Sequence, residues 1–137
     1  RVHTTNYVNT FIEVAEDCPA AHATPPPTRG EPTIAELHYA LIAAEPYART
    51  SDDVLFETYA RRAGIGDEDR DAARQAFFSK GQPCLRSSPL GKRYGWGTHH
   101  DAQGRVALIA RDSESYARLA ADPELAHTRA MRSARVR

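Results

Sequence analysis

The chain keeps its strand-forming residues near its two ends and its helix-forming residues between them, and this order limits the folds open to it. Thr10-Phe11-Ile12-Glu13-Val14-Ala15 is β-branched and aromatic, and Cys18-Pro19 ends it. Strand-like residues return only at Arg93 to His99 and Arg105 to Ala110, joined by Asp101-Ala102-Gln103-Gly104, whose glycine can take a positive φ. Strands first and last with helices between predict an α+β fold. The expected arrangement is a small antiparallel sheet, built from the N-terminal strand and the C-terminal hairpin, with about four helices mostly on one face. A length of 137 residues fits one domain. The pattern places that domain at residues 1–122, followed by an Arg-rich, mobile tail at 123–137.

The helices have readable ends. Ala20 to Pro32 is a proline-rich connector, expected to be extended and exposed. Thr33 can cap a helix that carries Ile34, Leu37, Leu41 and Ile42 on one face and stops at Pro46; His38 sits at the boundary of that stripe. Ser51 can cap a second helix with Asp52 and Asp53 in its first turn, an inner stripe of Val54, Leu55 and Tyr59, and Gly64 at its end. Asp67 starts a third that runs to about Lys80 with Ala73, Phe77 and Phe78 inside. Gln82 to Lys92, punctuated by Pro83, Pro89 and Gly91, is expected to be irregular. Ser113 caps a last helix bearing Tyr116 and Leu119.

Composition removes several function classes. No apolar run approaches the roughly 20 residues a membrane helix needs, and the first residues show no apolar segment of a secretory signal. Cys18 and Cys84 are too few and too far apart for a disulfide framework, which suits a cytoplasmic, bacterial-type protein with free thiols. The net charge is zero but unevenly spread. Ten acids stand against four bases from Glu31 to Asp71, whereas Ala72 to His100 holds five bases and no acid. Such asymmetry points to a basic surface for an anion, an acidic partner, or the protein's own acidic half. Nucleic-acid binding is the weaker alternative, because the whole chain is neutral.

Long phrases of the sequence carry a resemblance. His3-Thr4-Thr5-Asn6-Tyr7 with Thr10 to Pro19, Thr50-Ser51-Asp52-Asp53-Val54, Phe78-Ser79-Lys80-Gly81-Gln82-Pro83-Cys84-Leu85-Arg86, Ser88-Pro89-Leu90 and Lys92-Arg93-Tyr94-Gly95-Trp96-Gly97 resemble a microbial family of domains of unknown function. The likeness covers His3 to Ala121 and leaves out the Arg-rich tail. It implies relatives without an assigned activity, ligand, cofactor or catalytic residue, so no site is carried over.

The candidate chemistry lies between Ser79 and His100. Cys84 stands among Lys80, Arg86, Lys92 and Arg93, and nearby cations favour a thiolate. With His99 or His100 as base it could serve an enzyme or a redox sensor; the competing reading is a small buried side chain beside a proline turn. Arg86, Lys92 and Arg93 could instead bind an anionic small molecule or an acidic protein. In an extended strand from Arg93, Gly95 and Gly97 share a face with Arg93 and His99, a bare strip that could form the floor of a ligand site or the seat of tightly packed backbone. Asp53 and Glu57, four apart on a helix, could pair as catalytic carboxylates or simply be solvated. No spacing matches a zinc site or a nucleotide loop, so neither a metal nor a cofactor is expected.

Overall fold

Four strands form one sheet. In a computed structural model that describes residues 2–135, β1 (Thr10–Glu13), β2 (Trp96–His100), β3 (Val106–Ala110) and β4 (Ala126–Arg129) lie in the order β3-β2-β1-β4. β1 and β2 are antiparallel with Phe11 opposite His99, and the β2–β3 hairpin sets Thr98 opposite Leu108. Its turn closes through Asp101 Oδ1, which accepts the N–H groups of Gln103 and Arg105, each at 2.9 Å, while Gly104 takes φ +76°.

β4 runs parallel to β1, with Thr10 opposite Ala126, so the sheet is mixed. The sheet is thus mixed where an antiparallel one was expected, and residues 126–129, expected in a tail, supply its fourth strand. Ala126 N–H donates to Asn9, Ala130 N–H to Glu13 and Met131 N–H to the Arg86 carbonyl. Backbone pairing brings the segment in, and Ala-His-Thr-Arg has too little apolar content to announce a strand.

α1 (Ile34–Ala44) begins at Thr33, whose Oγ1 accepts the Glu36 N–H at 3.2 Å. α2 (Ser51–Ala63) is capped by Thr50 and not by Ser51. Thr50 Oγ1 accepts the Asp53 N–H, and the Asp53 carboxylate accepts the Thr50 N–H in return. The third helical stretch opens with a tight turn at Asp67–Asp69 and continues as α3 (Arg70–Phe77), ending short of Lys80. The segment expected to be irregular contains a short helix, α4 (Pro89–Arg93). Pro89 stands in its first turn, where a missing N–H costs nothing, and Ser88 Oγ accepts the Leu90 N–H. α5 (Glu114–Ala120) is capped by Ser113. Among the described residues no helix is long and apolar enough to cross a membrane.

Register decides what each face of the sheet meets. Val106 and Leu108, which share a face with His100 and Thr98, pack against Leu41 and Ile42 of α1 and Val54 of α2. Phe11 and Gly97 point the other way, onto Tyr116 of α5. α2 is covered on a second side by α3, where Phe56 and Ala60 pack with Phe78. That is why its buried apolar positions are Val54, Phe56 and Ala60, while Tyr59, expected inside, is 44% exposed. Each fully buried aliphatic or aromatic side chain contributes roughly 1.5–3 kcal/mol.

The acidic and basic halves of the chain meet in part. Arg74 pairs with Asp53 at 3.0 Å, and Arg70 and Arg61 both bind Glu57. Asp53 and Glu57 are therefore held by separate arginines and do not form a carboxylate pair.

Candidate functional site

A groove of about 1520 Å³ opens between α1, α2 and the segment leading into α4. Its walls are apolar: Leu37, Leu55, Phe77 and Pro89 line it, with Ile34 (41% exposed) and Tyr59 turned towards solvent. Arg29, Arg61, Arg62 and Arg93 border it, against one acid, Glu31. Arg61 is engaged by Glu57, whereas the guanidinium groups of Arg29, Arg62 and Arg93 form no salt bridge among the described residues. Cys84, Thr58, His38 and Ser88 complete the lining.

Cys84 is half-buried and free, with Sγ 3.2 Å from the Tyr7 hydroxyl. Burial and the neighbouring sulfur push the Tyr7 hydroxyl up to about 12, so it stays protonated and able to donate to sulfur. Neither histidine proposed as a base for Cys84 hydrogen-bonds to it. His99 Nδ1 meets the Tyr47 hydroxyl at 2.8 Å. His100 is fully buried, with Nδ1 at 3.4 Å from Ser51 Oγ and Nε2 at 3.0 Å from Thr98 Oγ1. Burial lowers His100 from 6.5 to about 4, which fits a neutral core residue. Cys18 is also free, so the two cysteines do not form a disulfide.

The basic candidates separate in space. Arg93 lies at the end of α4 on the groove. Arg86 faces the C-terminal segment, where its Nε donates to the Arg129 carbonyl at 2.7 Å and its side chain borders Met131 and Arg132. Lys92 lines neither hollow.

The glycine strip is occupied by the protein itself. The chain before Trp96 is helical and not extended, so Gly95 stands outside the strand with φ +83°. The connector crosses it, and a Cβ there would lie 3.0 Å from the His22 carbonyl oxygen. Thr24 N–H donates to the Tyr94 carbonyl and Trp96 Nε1–H to the Thr24 carbonyl at 2.8 Å, so the connector is pinned here. At Gly97 a Cβ would stand 2.9 Å from Tyr116 Cε2 and 3.0 Å from the Ile12 oxygen. Gly97→Ala is expected to cost about 2 kcal/mol by overpacking. Urea unfolding checks this, and unchanged stability would mean the face has room to spare.

A family model described as a family of unknown function, DUF6157, matches residues 2–136. The chain belongs to the DUF6157 family. No curated protein and no solved structure matches it. The geometry therefore has to speak for this DUF6157 member without an activity lent by relatives.

His38 and Ser88 are buried groove residues that the sequence did not mark as part of a site, as it did not mark Arg29 and Arg62 at the border. His38 is 4% exposed, where a boundary position was expected, and Ser88 is 3% exposed. Nδ1 of His38 lies 2.9 Å from Ser88 Oγ. The available signal was the position of His38 within the run Ile34, Leu37, Leu41, a polar residue on an apolar stripe.

Proposed function

We propose that this DUF6157 domain binds a small molecule with an apolar body and a carboxylate or phosphate end in the groove between α1, α2 and α4. The observation that carries the reading is the coincidence of apolar walls with arginines that lack partners. An arginine fork suits planar anions, and an apolar wall with few polar groups is the usual form of a small-molecule site. Of the residues first singled out, Arg93 and Cys84 border this groove and serve the reading; Arg29 and Arg62 join them.

The anionic probe 8-anilinonaphthalene-1-sulfonate tests it by fluorescence titration. Arg62→Ala and Arg93→Ala should each weaken binding about fivefold, the size of one partly solvated charge-assisted contact. Both side chains are exposed and free of carboxylates, so thermal stability should hold. Unchanged affinity in both variants would overturn the reading. Tight binding of an acidic peptide with none of the probe would replace the small molecule by a protein partner.

A further inference from the structure

His38 has a nitrogen that the fold leaves free. The residue is buried on α1 and is part of the groove lining, with Nδ1 held by Ser88. Nε2 hydrogen-bonds to no described residue, which is uncommon for a side chain so deeply enclosed. The one fully buried side-chain nitrogen or oxygen without a partner among the described residues is Arg70 Nε. Nε2 of His38 is therefore not fully enclosed, and the groove is the hollow that His38 lines. The other two buried polar side chains of the lining are already engaged. Thr58 Oγ1 donates to the Val54 carbonyl at 2.8 Å, and Ser88 Oγ binds the Leu90 N–H and His38.

The pairing of Ser88 with His38 admits either tautomer, because a serine oxygen that accepts one N–H can accept a second. Ser88 Oγ accepts the Leu90 N–H at 3.2 Å and has one proton of its own to give. In the tautomer whose Nδ1 accepts this hydrogen bond, the hydrogen of the neutral ring sits on Nε2, and His38 can offer a ligand in the groove an N–H donor. An apolar ligand lying over this donor without an acceptor would strip it of water and leave it unmatched.

We propose that His38 Nε2–H is a specificity-determining contact that selects, among apolar anions, those carrying a carbonyl or ether oxygen on the apolar body. The proposal rests on the groove reading above and adds the polar group the ligand must present.

Two near-isosteric probes separate the ideas: 6-acetylnaphthalene-2-carboxylate, with a carbonyl acceptor, and 6-ethylnaphthalene-2-carboxylate, without one. Calorimetric titration should show the acetyl compound binding the wild-type chain about fivefold more tightly. His38→Asn keeps a group near Nδ1 for Ser88 but has nothing at Nε2. It should bind both compounds with the weaker affinity, whereas His38→Gln, which reaches the Nε2 position, should restore part of the preference. Equal affinities in the wild type, or a preference that survives in His38→Asn, would overturn the inference while leaving the groove reading intact. Binding of neither compound would overturn both. If His38→Asn fails to fold, the wild-type chain still decides: the ¹⁵N resonance of His38 Nε2 should move when the acetyl compound saturates and stay when the ethyl compound does, and an unmoved resonance refutes the contact.

Discussion

Acidification from pH 6.5 to pH 4 should remove on the order of 3 kcal/mol of folding stability for each of two histidines, His38 and His100. Burial holds both imidazoles neutral in the folded chain and lowers them from 6.5 to about 4. In the unfolded chain both take a proton near 6.5. Below that pH the unfolded state therefore binds more protons, and stability falls until the folded-state value is reached. The contribution is fully present above pH 6.5. His99, half-exposed, is lowered in the same direction and adds to the loss. Carboxylates held low, such as Glu57 beside Arg70 and Arg61, lose their contribution mainly below about pH 5, so the range above pH 5 reports the histidines. A domain with a total stability of roughly 5–15 kcal/mol should come close to unfolding near pH 4. Urea titrations from pH 7 to 4.5 check this: proton uptake on unfolding should approach two near pH 5. A flat profile would mean that the two rings are not buried and neutral.

Asp52→Ala should lower stability by about 3 kcal/mol, or about 10 °C in melting temperature. Asp52 stands in the first turn of α2 and accepts three hydrogen bonds from the N-terminal segment. Thr4 Oγ1, the Thr5 N–H and Thr5 Oγ1 each lie 2.7 Å from its carboxylate. Its own N–H donates to Asn6 Oδ1 at 2.9 Å. Thr5 is 5% exposed, so removing the carboxylate strands its buried donors. Asp52→Asn keeps an acceptor and should lose about half as much. A melting temperature within about 2 °C of wild type for Asp52→Ala would show the clasp to be incidental. The two phrases His3-Thr4-Thr5-Asn6 and Thr50-Ser51-Asp52-Asp53, far apart in the sequence, are the two halves of this one contact.

Local chemistry was legible before the fold was known. Thr33 and Pro46 bound α1, Asp101 and Gly104 close the hairpin, and Ser113 starts α5, because each feature is set within a few residues. The α+β class follows from the same elements in order. The misplaced details have local causes as well. Thr50 out-competes Ser51 as the cap since only Thr50 has Asp53 three residues on to complete the reciprocal pair.

Long-range geometry decided the rest. β4 exists because β1 leaves an edge whose carbonyls at Asn9 and Glu13 accept its amides, and four residues poor in apolar side chains show no such pairing in advance. Gly95 and Gly97 lie on one face only if the chain is extended from Arg93; the α4 turn breaks that alternation, and the connector and Tyr116 then fill the space. The Ser79 to His100 stretch alone could place Arg86 and Arg93 together, yet α4 turns Arg93 to the groove and leaves Arg86 beside the C-terminal strand. His38 meets Ser88 across 50 residues of sequence. The sequence by itself determined β1, the hairpin, the start of α1 and α5 and the charge imbalance, since those depend on neighbours along the chain. Only the tertiary structure decided which basic residues, which thiol and which imbalance of partners share one hollow, because that depends on sheet register and helix packing between segments the sequence holds far apart.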